Sequence, residues 1–344
     1  MDRYKYFVLD VALTALGFCV IVLSMLFGSP SEPYPFSWSL GWLLFGYGFV
    51  KFTIFAVEWI WSYWREREVD ARYRPVVRQV EQKALPLLIV SDIEGCITPP
   101  ERDEIDLVSF ARLRAYCEYA RKYPQYPQLI FFTGRSVGYV ELLAQSLGTL
   151  RSIRDLPSVV ENGAALYQPR AAKTHLVVQR EEILTILEAQ RILKERFPEN
   201  EFEPKSFMVT LNPVTGETVN ELRDRVNLTL KDMALLDKVS VTSTASAVDI
   251  SPKGICKLAA LRKALSFLEL DDIDSALGQI VAFGDQTADL DVLMAVGKPY
   301  CPSESPAQVK KAVTNKTDSQ HVVALPDIRF VISVIERECG LKIA

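Results

Sequence analysis

The side chains able to do chemistry gather in four places along this 344-residue chain. Ser91-Asp92-Ile93-Glu94-Gly95 follows the apolar run LPLLIV, and Thr133-Gly134-Arg135-Ser136 follows QLIFF. Glu161-Asn162-Gly163-Ala164 follows SVV, and Gly284-Asp285-Gln286-Thr287-Ala288-Asp289 follows QIVAF. Carboxylates and hydroxyls of this kind can attack an electrophile or hold a hard cation through oxygen. Each cluster also has a plain structural use: an Asp at a strand end caps a helix, and Thr-Gly makes a turn. Other chemistries lack material. Two histidines, His175 and His321, are too few for a multi-histidine metal centre or a histidine-based triad. The six cysteines form no Cys-x-x-Cys pair, so neither a zinc ribbon nor a dense disulfide framework is legible.

The clusters need elements to position them. Continuous apolar runs bounded by turn signals suit buried parallel strands. Amphipathic stretches at 105–123, 139–147 and 257–268 suit the crossover helices between them. The pattern is an open α/β sheet, a Rossmann-like parallel core whose ligands sit at the carboxyl ends of the strands, where all four clusters fall. Between Thr133 and Lys257 the chain is far longer than one crossover needs. Strand-like runs (KSFMVTLNP, KVSVTST) and two helix-like runs in that interval indicate an inserted α+β cap domain over 168–247. The core is then expected over 85–167 and 248–344.

Composition places the rest. With 39 Lys+Arg against 43 Asp+Glu, the net charge of −4 excludes a broad nucleic-acid surface. Residues 7–27 are apolar apart from Asp10, long enough to span a bilayer as a helix. A second apolar stretch, about 40–61, carries Lys51 and Glu58. Together they predict two transmembrane helices, a hairpin over 1–64, followed by a charged helical linker over 65–84. Arg3 and Lys5 precede the first span and five arginines follow the second, while the loop between has neither Lys nor Arg. The positive-inside rule therefore puts the N-terminus and the body in the cytoplasm. Lys51 is read as snorkelling to the interface, with pairing to Asp10 as the other reading.

In order and placement the four clusters resemble the motifs of the haloacid dehalogenase superfamily, in the branch of phosphatases with a type II cap. The resemblance spans about 85–344. Asp92-Ile93-Glu94-Gly95-Cys96 corresponds to the first motif and Thr133 to the second. Pro252-Lys253-Gly254-Ile255-Cys256-Lys257 corresponds to the third, Gly284-Asp285 with Asp289 to the fourth, and Asn162-Gly163-Ala164 to the segment before the cap. The resemblance implies a Mg²⁺-dependent phosphatase. Asp92 would be the nucleophile, Glu94 the acid and base, and Thr133 and Lys257 the groups that stabilise transferring charge. Asp92, Asp285 and the carbonyl of Glu94 would hold the metal, with Asp289 behind them. Arg135, Asn162 and Lys205 are candidate substrate contacts; for Arg135 a surface salt bridge, and for Lys205 a solvated surface position, are the competing readings. The implied substrate is a small phosphorylated metabolite, a sugar phosphate or phosphoglycerate type such as a mannosyl phosphoglycerate.

Two positions depart from that pattern. Glu94 stands where the family has Asp, and Ala288 where it often has Asn. They keep two rivals open: a weak or inactive module that binds phosphate or a partner, and a phosphotransferase. Cys96, where Thr is common, is read as a small buried residue.

Overall fold

In the computed structural model the described residues are 75–99, 104–151, 154–244 and 246–344. Both apolar N-terminal stretches lie outside them. Among the described residues no helix is long and apolar enough to cross a membrane. Pro75–Ala344 forms one compact unit.

The chain opens with β1 (Val77–Gln79), β2 (Leu88–Ser91), α1 (Leu107–Lys122), β3 (Gln128–Phe131) and α2 (Val137–Leu147). Next come β4 (Ser158–Val160), β5 (Ala165–Gln168) and β6 (Lys173–Leu176). The insert contains α3 (Arg180–Arg196), β7 (Glu201–Phe202), β8 (Val209–Asn212), α4 (Val219–Asp232), β9 (Val239–Ser243) and β10 (Val248–Pro252). The chain then returns through α5 (Lys257–Leu265), α6 (Ile273–Leu277), β11 (Ile280–Phe283), α7 (Leu290–Ala295) and β12 (Lys298–Pro302). It finishes with α8 (Ala307–Lys316), β13 (Val322–Val323), α9 (Asp327–Cys339) and β14 (Leu341–Ile343).

The core sheet has the order β13-β12-β11-β2-β3, with every neighbour pair parallel. Its strands are apolar throughout because both faces are covered. Ile89 and Phe283 pack with α1, α2 and α9, while Leu88, Val90 and Ala282 pack with α5, α7 and α8. From β2 the chain steps to β3 on one side, and from β11 to β12 on the other. Strand order reverses between β2 and β11, the place where an open sheet leaves a crevice.

The insert is a second layer system. Its sheet runs β7-β8-β10-β9, all antiparallel, and α3 and α4 bury Ile186, Leu193, Leu222 and Val226 against it. Local signals set the helix starts: Asp106 caps α1 through the amides of Val108 and Ser109, and Thr218 with Glu221 forms a capping box on α4. The insert sheet extends through Pro252, so β10 pairs within it rather than in the core sheet. Before α3, the β5–β6 hairpin joins β4 in a separate three-stranded sheet.

One expectation is corrected. The charged linker is not helical where it is described. Residues 77–79 form β1, paired antiparallel with β14. The edge of a C-terminal strand offers these amides partners that a short polar helix could not supply.

Candidate active site

Asp92 follows β2 and Asp285 follows β11, so the strand-order reversal places them side by side. Carboxylate oxygens of Asp92, Asp285 and Asp289 lie within 4.8 Å of one another. Lys257, the first residue of α5, reaches in from the other end of the insert. Its Nζ donates to Asp289 Oδ1 at 2.6 Å and to Asp92 Oδ2 at 3.2 Å. Asp289 Oδ2 accepts from the amides of Asp285 and Gln286, both at 3.0 Å. Both oxygens of Asp289 thus already have protein partners. Asp92 Oδ1 accepts from the Ile93 amide at 2.7 Å, holding the carboxylate at the mouth of the strand.

The electrostatics carry a clear imbalance. Asp92, Asp285, Asp289 and Lys257 are all buried. Three carboxylates face one ammonium, so full ionisation would leave two negative charges uncompensated. Burial pushes Asp92 up to about 7 against the pull of Lys257, and pushes Asp285 up to about 8 with Asp289 and Asp92 adding to the shift. Burial alone would lower Lys257, but Asp289 and Asp92 outweigh it and its pKa is raised. The ammonium is spent mainly on Asp289, its nearer partner, so Asp92 and Asp285 stay high. Asp285 Oδ2 accepts from Gln286 Nε2 at 2.7 Å, whereas Asp285 Oδ1 is buried with no partner. An orphaned buried carboxylate oxygen beside two excess charges fits a hard divalent cation such as Mg²⁺.

Two glycines make this packing possible. Gly95 has φ +69°, and a Cβ there would lie 2.3 Å from Asp285 Oδ2. Gly163 has φ +101°, and a Cβ there would lie 2.5 Å from the carbonyl of Cys256, just before Lys257. Thr133 is buried just after β3 and is not among the residues that line the cavity above the cluster. Its hydroxyl accepts from the Arg135 amide at 3.1 Å, and its amide donates to the carbonyl of Val159 at 3.0 Å. Cys96 is fully buried and burial pushes its thiol up, in keeping with a small packed residue.

Above the cluster a cavity of about 240 Å³ opens between core and insert, lined by Asp92, Glu94, Asn162, Lys257 and Asp285 on one side. Glu203, Lys205, Thr210 and Asp249 line the other. Glu94 forms an ion pair with Arg135. Arg135 is partly buried, lies 5.0 Å over the Tyr139 ring and reaches Glu203 at 3.7 Å, so it joins core to insert. Lys205 is no solvated surface residue: its side chain is 6% exposed and lies 3.3 Å from Glu203. Asn162 donates to Asp249 Oδ2 at 3.3 Å, and Asp249 Oδ1 accepts from Thr210.

Sequence reasoning missed Glu203 and Asp249, and gave no role to Gln286 and Glu161, which lie within its clusters. Glu161 is fully buried, and its carboxylate accepts from the amides of Ser206 and Phe207 at 3.1 and 2.6 Å, tying β4 to the Lys205 loop. Asp249 had a usable signal, an acid inside the apolar strand VDISP; Glu203 had none. His175 is partly exposed and lies at the β5–β6 hairpin, away from the cavity.

The fold is that of haloacid dehalogenase-like hydrolases. Residues 185–325 match the family of that description, a stretch that contains Lys257, Asp285 and Asp289. Similar solved structures include a haloacid dehalogenase-like hydrolase from Bacteroides thetaiotaomicron, at 20% identity and TM-score 0.52, covering 73% of this chain and 98% of that one. A HAD/COF-like hydrolase from Plasmodium vivax has 12% identity and TM-score 0.55, with 75% of this chain and 96% of that one covered. A Thermoplasma acidophilum protein has 13% identity and TM-score 0.54, with 74% and 99% covered. No curated protein matches the chain.

Proposed function

We propose that the protein is a phosphomonoester hydrolase that works through an aspartyl phosphate on Asp92 and acts on a small phosphorylated metabolite. The observation that carries this reading is the buried Asp92–Asp285–Asp289 cluster, with its two excess negative charges and the orphaned Asp285 oxygen. Asp92 and Asp285, with the carbonyl of Glu94, would hold Mg²⁺. The ion supplies positive charge that screens the phosphoryl group from an anionic nucleophile. Asp92 Oδ attacks phosphorus and the P–O bond to the alcohol breaks. Lys257 and the Thr133 hydroxyl stabilise charge on the transferring oxygens. Glu94 gives the departing oxygen its proton, then takes one from the water that cleaves the acyl phosphate. Asp289 holds Lys257 in place.

One observation favours a slow enzyme. The Arg135 ion pair holds Glu94, which is already one methylene longer than the family's Asp. Misplacement of a catalytic group by about 1 Å costs on the order of 100-fold in rate. A rate gain in Glu94→Asp would support that reading; a loss would remove it.

The two apolar stretches of sequence within 1–64 are the support for a place at a membrane, with the body on the cytoplasmic side. Release of the chain from membranes by alkaline carbonate would exclude it. The test of the main reading is phosphate release by the full chain in lipid, from a panel of phosphorylated sugars and glycerates. Release must need Mg²⁺, stop with EDTA and vanish in Asp92→Asn; release that survives Asp92→Asn sinks the mechanism.

A further inference from the structure

Opposite charges alternate in a row that runs from the core side of the cavity to its insert side. Glu94 pairs with Arg135, and Arg135 lies 3.7 Å from Glu203. Lys205 then lies 3.3 Å from Glu203 and 3.9 Å from Asp249. The row begins two residues from Asp92 and ends on β10 in the insert. Each cation is shared by two carboxylates. Lys205 is 6% exposed and cannot turn to solvent, and both Asp249 oxygens already accept from Thr210 and Asn162. Three carboxylates against two cations leave this wall net negative. Among the described residues, the cations that line the cavity itself are Lys205 and Lys257, and Lys257 is held by Asp92 and Asp289. The remaining polar lining here is hydroxylic: Thr210, Thr242, Ser243, Thr244 and Ser246.

We propose that this wall rejects phosphoesters whose leaving group carries a second anionic group, with Glu203 and Asp249 as the specificity-determining residues. The inference rests on the phosphatase reading and narrows it: an uncharged, hydroxyl-bearing alcohol is accepted and a phosphoglycerate type is refused. A carboxylate on the leaving group has two ways to bind, both unfavourable. It can displace Glu203 or Asp249 from Lys205, stranding a buried carboxylate without its cation. Otherwise it sits beside them as a like charge. An uncharged alcohol needs neither, and its hydroxyls find donors and acceptors along the Thr/Ser wall.

The test compares glucitol 6-phosphate with 6-phosphogluconate, two open-chain esters that differ at C1 by a hydroxymethyl group against a carboxylate. Full-length protein in lipid with Mg²⁺ is expected to favour glucitol 6-phosphate by at least about tenfold in kcat/KM. Glu203→Gln and Asp249→Asn are each expected to narrow that ratio at least about fivefold, because each frees a cation for the anion. The ratio is internal to each protein, so a general loss of activity does not imitate the effect. Equal rates, a preference for 6-phosphogluconate, or a ratio that neither variant moves would overturn the inference and leave the phosphatase reading standing. Calorimetric titration of Asp92→Asn with the same two esters makes the comparison without turnover. Tighter binding of glucitol 6-phosphate, with no hydrolysis by the parent, sinks the phosphatase reading and keeps the inference. Equal binding, or no binding of either ester, overturns the inference.

Discussion

Two buried lysines face each other across the cavity, and their surroundings differ in one respect. Lys257 lies between Asp92 and Asp289, with a third carboxylate, Asp285, beside them and one oxygen of it unpartnered. Lys205 lies between Glu203 and Asp249, whose other partners are Arg135, Thr210 and Asn162. The first site leaves a buried acceptor unpartnered, Asp285 Oδ1; the second leaves a buried donor, Arg135 Nε, while each of its acids has a partner. An acceptor left over beside excess carboxylates wants a cation and is equipped for chemistry, whereas a network whose acids are all paired fixes shape.

The largest expected effect breaks the first site at its nucleophile. Asp92→Asn should lower kcat/KM by at least about a thousand-fold, read by phosphate release, while the fold survives because the amide is isosteric. Next, Lys257→Met removes the cation from buried Asp289 and should destabilise the fold by about 3–5 kcal/mol in urea melts. Lys205→Met, the matching change across the cavity, should cost less, about 1–3 kcal/mol, because Arg135, Thr210 and Asn162 still partner the acids. Equal costs would erase the contrast. Gly95→Ala drives a Cβ into Asp285 at an unfavourable φ and should cost on the order of 100-fold in rate with a small change in melting temperature.

The smallest effect sharpens the contrast through pH. In metal-free protein Asp92 and Asp285 titrate at about 7 and about 8, against an ordinary value of 3.8. As pH rises from about 4 to about 8, the unfolded chain sheds these protons first and the folded chain holds more. Stability therefore falls across that window. The melting temperature in EDTA should drop by about 5 °C or more between pH 5 and 8, and Mg²⁺ at pH 8 should restore it. A flat profile would mean that the excess charge is compensated in some other way.

The same contrast governs what was legible in the sequence. The core residues sit immediately after apolar strands, so Asp92, Thr133 and Asp285 could be placed at one sheet edge from local pattern alone. Lys257 was legible through its Pro-x-Gly-x-x spacing. The insert wall has no such local grammar. Asn162 meets Asp249 across 87 positions of chain, and Glu161 meets Phe207 across 46. Arg135 and Lys205 were marked as candidate substrate contacts, yet their observed partners are acids of the protein. Residues 77–79 fall in a charged segment read as helical; the partner strand that decides otherwise begins at Leu341.

That last pairing has a consequence for how the body can be cut and rejoined. Val76 and Ala344 exchange main-chain hydrogen bonds in both directions, at 2.8 and 3.1 Å. The two ends of the described body therefore meet along the pairing of β1 with β14. A linker of a few residues could join Ala344 to Pro75 and turn the body into a ring, with new termini opened at an exposed loop. A tag joined to Ala344 would leave the body close to Val76.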